Sequence, residues 1–151
     1  MIKIVDYTDE TSSYIRDLNY EWLQKYFEVE PNDILQLNNP RREIIDKGGS
    51  IYYATFDERI VGTATLILIS PGIYELGKMA VTESMQGRGI ARKLLEHCIM
   101  RATELKADKI ILYSNTKLLP AISLYRKFGF KEIPLRDSHY VRSDIKMEKV
   151  L

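Results

Sequence analysis

Residues 74–91 read YELGKMAVTESMQGRGIA, an apolar strand that runs into a glycine-rich turn and then a helix, and no other stretch limits the fold so tightly. Gln86-Gly87-Arg88-Gly89-Ile90-Ala91 puts small residues where a backbone must turn sharply or let a ligand come close. A helix starting there offers unpaired N–H groups and the positive end of its dipole, which is the chemistry of a pyrophosphate cradle. The same glycines also suit an ordinary strand-to-helix turn, so the flanking sequence has to decide.

Upstream, IYYATF, the polar Asp57-Glu58-Arg59 and IVGTATLILI predict two β-rich runs joined by a tight turn. Ser70-Pro71-Gly72 turns the chain again, so three antiparallel strands form a meander whose last member delivers the chain to the glycine turn. Downstream, Ile90, Ala91, Leu94, Leu95, Cys98, Ala102 and Leu105 share one face of a helix over residues 87–105. Arg88, Arg92, Lys93, Glu96 and Arg101 fall mostly elsewhere on it. KIILY at residues 109–113 reads as a buried strand, and strand, helix, strand in that order favours a right-handed parallel crossover. The expected fold is α/β (α+β): a mixed central sheet, an antiparallel meander followed by a parallel βαβ crossover, flanked by helices.

The ends are less constrained. Ile2 and Ile4 flank Lys3 as in a short strand, and Tyr14, Ile15, Leu18, Trp22 and Leu23 line one side of a helix that Pro31 is expected to end. Two short helical pieces follow over residues 32–39 and 40–47, closed by Gly48-Gly49. Pro120 suits a first helical turn, Ala121, Leu124, Tyr125 and Phe128 continue it, and Gly129 stops it. Val141, Ile145 and Met147 alternate with Arg142, Asp144, Lys146 and Glu148 as a closing strand, whose exposed edge would let two copies pair as a homodimer.

At 151 residues, with 45% apolar and 28% charged content, the chain fits one domain, 1–151, with a usable core. Twenty-two Lys and Arg against 21 Asp and Glu leave a net charge of +1, which argues against nucleic acid or anionic membrane as a partner. One cysteine, Cys98, forbids an intramolecular disulfide, and with two histidines it argues against a metal site. MIKIVDYTDE has no basic, apolar, cleavable pattern and no apolar run reaches membrane-spanning length, so a cytoplasmic protein is expected.

Gln86, Gly89 and Ala91 meet the pattern Q/R-x-x-G-x-G/A, and on those residues the chain resembles the GNAT acyl-CoA N-acyltransferases. KMAV before the turn, Asn115 after the next strand and AISLYRKFGF at residues 121–130 extend the resemblance across residues 50–130, and Glu75 stands eleven positions before Gln86, where the family often has a Glu. The resemblance implies an acetyl-CoA-dependent N-acetyltransferase acting on an amine of a small molecule or peptide. Main-chain groups of Met79 and Val81 would pair with the pantetheine arm of coenzyme A, and an N–H near Met79 or Ala80 would face the developing oxyanion. The N–H groups from Gly87 through Arg88, Gly89 and Ile90 to Ala91 would hold the pyrophosphate. Arg88 and Arg92 would add charge there, although a solvated helix face explains both equally well.

Acyl transfer to an amine needs the neutral amine, and a lysine-like group of pKa about 10.4 is only ~0.1% neutral near pH 7.4, a handicap of about 4 kcal/mol. Glu75 is the candidate base, acting directly or through water, against the plain reading of a strand-edge Glu. Tyr125 matches the family tyrosine that protonates the departing thiolate, and its spacing also suits core packing. Asn115 could bond the pantetheine, position Tyr125, or simply make a turn. Cys98 reads as core filling, and His97 and His139 as surface or loop residues.

Trp22, Tyr26, Phe27, Tyr52, Tyr53, His139 and Tyr140 could wall an acceptor site or pack the core. Glu28, Glu30 and Asp33 could attract a cationic amine or be solvated surface. A non-catalytic acyl-CoA-binding or sensing module stays open as the rival reading, and it would not require Glu75 together with Tyr125.

Overall fold

In a computed structural model describing residues 1–138 and 140–151, a strand and a run of helical segments precede the predicted meander. β1 (Ile2–Asp6) leads into α1 (Ser12–Tyr26), α2 (Pro31–Asn38) and a π-helical turn over Arg41–Ile45. β2 (Ser50–Phe56), β3 (Arg59–Ser70) and β4 (Ile73–Val81) form the meander itself. Asp57 and Glu58 both take positive φ in the two-residue turn between β2 and β3, as the right-handed twist of a tight hairpin demands. α3 (Ile90–Glu104) crosses to β5 (Lys109–Ser114), and α4 (Leu119–Lys127), β6 (Lys131–Ile133) and β7 (Ile145–Val150) close the chain. The sheet order is β1-β2-β3-β4-β5-β7-β6; β4 and β5 run parallel, and the other neighbours antiparallel.

Three sequence expectations fail at the ends. Pro31 does not stop the first helix: α1 ends at Tyr26, and Pro31 opens α2, where its missing N–H would have had no helical partner anyway. A capping box between Glu30 and Asp33 holds that start. The closing strand begins at Ile145, while Val141 lies in the preceding loop at 96% exposure. β7 also lies inside the sheet, bonded to β5 on one side and β6 on the other, so it offers no edge for the expected homodimer.

Each face of the sheet carries its own core. On one, Leu94, Leu95 and Cys98 of α3 and Tyr125 of α4 pack with Tyr52, Leu66, Leu76, Ile110 and Leu112 of the sheet. On the other face α1, α2 and the π-helical turn bury Ile15, Leu23, Leu37 and Ile44 against Ile51, Tyr53 and Ile67. Truncating a fully buried residue such as Leu94 removes about 2–5 kcal/mol.

Candidate active site

The site begins where two parallel strands part. β4 pairs with β5 only from Ile73 to Glu75, opposite Lys109 to Ile111, after which β4 stays with β3 and β5 with β7. Beyond Glu75 the β5-facing edge of β4 therefore lines an opening. The Thr82 N–H donates to the Val61 carbonyl at 2.9 Å. By the two-residue alternation of an antiparallel ladder, the Met79 carbonyl and the Val81 N–H and carbonyl then point away from β3 into that opening. Gln86 clips the turn onto the strand end, its Nε2 donating to the Val81 carbonyl at 3.1 Å.

Within β4 the register against β3 slips between Thr63 and Thr65, and Lys78 takes φ +51°. One extra residue is housed there, which inverts the side-chain alternation. Glu75 and Gly77 lie on the α1/α2 face, since Glu75 is opposite Ile67 of that core, whereas Met79 and Val81 pack against the α3 core. Period-2 reading would have put all four on one side.

At the turn, Gly87 and Gly89 have φ of +79° and +78°, and Gly89 is the residue preceding α3. The first bond of the new helix runs from the Lys93 N–H to the Gly89 carbonyl at 3.2 Å. Among the described residues, the N–H groups from Gly87 to Arg92 donate to no protein acceptor. A Cβ placed at either glycine meets nothing within 4 Å. The glycines are thus required by backbone conformation and not by crowding, and residues 86–89 are exposed, so the turn can be approached from solvent. Donors of this kind fit a diphosphate, and the fork of β4 and β5 fits an amide-bearing arm laid along it. Arg88 is exposed, and Arg92 is held by Glu96 at 3.0 Å, its guanidinium 5.7 Å from the Phe128 ring.

Glu75 is 5% exposed at the base of the fork, on the α1/α2 face, and its charge is felt by Lys78 and Tyr140. Tyr125 approaches from the opposite face, where it packs near Cys98 and Phe130. Burial, with a smaller contribution from Cys98, pushes its phenol up to about 12, so it remains protonated at neutral pH. Tyr125 is 8% exposed, and among the described residues its hydroxyl has no hydrogen-bond partner.

Asn115 donates from Nδ2 to the Arg142 carbonyl at 2.7 Å and accepts from the Lys117 N–H at 2.8 Å. It ties the loop after β5 to the loop before β7, and keeps one N–H and one lone pair to spare. His97 is half-buried in a T-shaped contact with Tyr52, and burial pulls its imidazole below the usual range. The Cys98 thiol is fully buried and pushed up to about 12. Tyr52 and Tyr53 point to opposite cores, so they cannot share one acceptor wall. Tyr26 is exposed, Trp22 and Phe27 pack edge to face, and His139 lies outside the described residues.

Sequence reasoning missed a buried charged cluster beside Glu75. The Lys78 ammonium donates to Asp33 Oδ1 at 2.8 Å and to the Tyr140 hydroxyl at 2.7 Å. Arg142 grips both oxygens of Asp33 at 2.7 and 2.8 Å and reaches Glu30 at 3.2 Å. Both cations lie 4.4 Å from the Tyr140 ring centroid. Burial acts to raise the Asp33 carboxyl, but Arg142 and Lys78 together outweigh it and hold the group below its ordinary value. Burial pulls the Lys78 ammonium down against the opposing pull of Asp33. Glu30 and Asp33 are therefore committed to partners inside the chain, which corrects the reading of them as an attractant for a cationic amine or as plain solvated surface.

Asn19 was missed as well. It sits on the buried stripe of α1 with Ile15, Leu18 and Leu23, and a polar residue at core spacing was the available signal.

The chain belongs to the acetyltransferase (GNAT) family, whose model matches residues 13–130. A curated relative, the uncharacterized N-acetyltransferase YvbK of Bacillus subtilis (strain 168), is 31% identical over 102 residues, which is 66% of this chain and 66% of that protein. Among solved structures, a GNAT-family acetyltransferase from Staphylococcus aureus Mu50 superposes with a TM-score of 0.88 over 99% of both chains at 23% identity. The PaiA N-acetyltransferase of Thermoplasma acidophilum, solved in complex with coenzyme A, gives 0.75 over 100% of this chain and 99% of that one at 17% identity. At such identities these two structures speak for the fold. Among the described residues no helix is long and apolar enough to cross a membrane.

Proposed function

We propose that this chain is an acetyl-CoA-dependent N-acetyltransferase acting on a primary amine of a small molecule or peptide, by direct attack with both substrates bound. One observation carries the reading. The run of unpartnered N–H groups from Gly87 to Arg92 lies in an exposed glycine turn at the end of a strand fork whose base holds a buried carboxylate, Glu75. Family membership and a coenzyme A complex of a protein with the same fold support it.

When bound, acetyl-CoA supplies an activated thioester carbonyl. Gly87 to Ala91 bind the diphosphate through N–H groups, with Arg88 as mobile positive charge nearby and Arg92 able to join it by leaving Glu96. Met79 and Val81 orient the pantetheine arm along the open edge of β4, and Asn115 has one N–H and one lone pair to offer it. The Met79 N–H offers a hydrogen bond to the acyl oxygen. Glu75 takes the amine's proton, directly or through water, on the α1/α2 face, and Tyr125 returns a proton to the thiolate from the α3 face. The cluster of Lys78, Asp33, Arg142 and Tyr140 borders the acceptor side.

The experiment is a panel of polyamines, aminoglycosides, amino acids and peptides, followed by free coenzyme A release with mass detection of the added acetyl group. Turnover with at least one amine is expected. Coenzyme A binding without turnover on any amine would favour an acyl-CoA-binding module instead.

A further inference from the structure

We infer that Asn19 of α1, outside the glycine motif, is a positioning residue that sets the direction of the Met79 N–H; the inference rests on the acetyl transfer proposed above. Asn19 has no solvent exposure. Its Nδ2 donates to the Ile15 carbonyl at 2.9 Å, one turn back in its own helix, and to the Lys78 carbonyl of β4 at 3.1 Å. The Trp22 indole N–H reaches Asn19 Oδ1 at 3.4 Å. Two carbonyls at one end of the amide and a donor at the other allow a single orientation of this side chain, with its nitrogen toward β4.

The carbonyl that Asn19 holds belongs to the irregular residue of β4. Lys78 takes φ +51°, a conformation that is strained for a residue with a Cβ and persists only where its surroundings enforce it. Two tethers do so: the side chain is drawn to Asp33 and Tyr140, and the carbonyl is drawn to Asn19. Among the described residues there is no cis peptide bond, and across a trans peptide the carbonyl and the next N–H point in opposite directions. A Lys78 carbonyl fixed toward α1 therefore sends the Met79 N–H away from α1. With the pantetheine laid along the unpaired edge of β4, as proposed above, that direction would aim the Met79 N–H at the acyl oxygen. An asparagine in a helix interior is a poor helix former and costs energy to bury unless fully bonded; this one uses both amide hydrogens, one of them on an element 59 residues away.

Isotope-edited infrared spectra of acetyl-CoA labelled with carbon-13 at the acyl carbonyl test this without an identified amine. The probe is bound to the parent, to Asn19→Leu and to Asn19→Ala, with coenzyme A affinity measured alongside by calorimetry. In the parent the bound carbonyl band is expected below its position in free acetyl-CoA. In both variants it should return toward the free position while coenzyme A affinity changes by no more than about twofold, and turnover on any amine found active should fall by up to roughly a hundredfold. Variants that bind with the band still at the parent position overturn the inference. Should neither variant fold, the parent alone decides: the Met79 amide proton resonance must shift more with acetyl-CoA than with coenzyme A, and equal shifts overturn it. Failure of the parent to bind acetyl-CoA is a separate result, which removes the proposed function itself.

Discussion

Lys78 Nζ lies 2.8 Å from Asp33 Oδ1, with side-chain exposures of 4% and 0%, so β4 and α2 are joined by an ion pair almost wholly withdrawn from water. Its energetics are asymmetric, because Asp33 has a second cationic partner in Arg142. Asp33→Asn leaves two cations facing a neutral amide, whereas Lys78→Met leaves Asp33 in the fork of Arg142. Breaking a buried pair typically costs about 3–5 kcal/mol. We expect Asp33→Asn to fall in that range and Lys78→Met to cost clearly less, measured by urea unfolding. Equal losses would mean that Arg142 does not share the load.

Acid should act through the same carboxylate. Asp33 titrates below its ordinary value in the fold, since Arg142 and Lys78 overcome the effect of burial. Its stabilising contribution is therefore complete above the unfolded value, about 3.9, and is lost as pH falls through the lower folded value. The unfolding free energy of the parent should decline below about pH 4, and Asp33→Asn should flatten that decline. Identical slopes in the two proteins would assign the acid sensitivity elsewhere.

These relationships explain which parts of the molecule could be read from the chain. The meander, the helix after the glycine turn and the parallel strand at KIILY are set by local periodicity and turn chemistry, and each lies where that pattern put it. Pro31 was misread because proline both ends helices and starts them, and only the Glu30–Asp33 capping box settles the choice. The place of β7 inside the sheet depends on which strand finds the open edge of β5, and sequence order does not encode it. Gly77, next to the irregular residue of β4, was the one local hint of a bulge, but Lys78 itself is not a residue type that favours positive φ, so the inverted faces of Met79 and Val81 could not be read from spacing. The links from Lys78 to Asp33 and from Arg142 to Asp33 span 45 and 109 residues, beyond the reach of spacing arguments.

Gly89 separates two effects that the motif alone conflates. A Cβ there meets no atom but must take φ +78°, so Gly89→Ala should fold with a loss of about 1–2 kcal/mol from the left-handed backbone. Gly89→Glu adds bulk and negative charge in front of the N–H groups, and calorimetry should detect no coenzyme A binding. Unchanged affinity in Gly89→Glu would contradict the cradle.

Tyr125→Phe keeps the ring that packs near Cys98 and Phe130 and removes only the hydroxyl. Coenzyme A affinity should persist while turnover with an active amine drops by roughly a hundredfold. Because the phenol is held up at about 12, Tyr125 contributes no alkaline limb to the parent's pH–rate profile below about pH 10. Turnover equal to the parent would remove the phenol from the mechanism.

On the proposed function, main-chain donors from Gly87 to Arg92 hold the diphosphate of coenzyme A. Backbone amide resonances followed by NMR while coenzyme A is added test it most directly. The Gly87, Gly89, Ile90 and Ala91 amide protons should move downfield and saturate together, and dephospho-coenzyme A, which keeps the diphosphate, should move them in the same way. Saturable binding that leaves these four resonances in place, or no binding at all, would contradict the account.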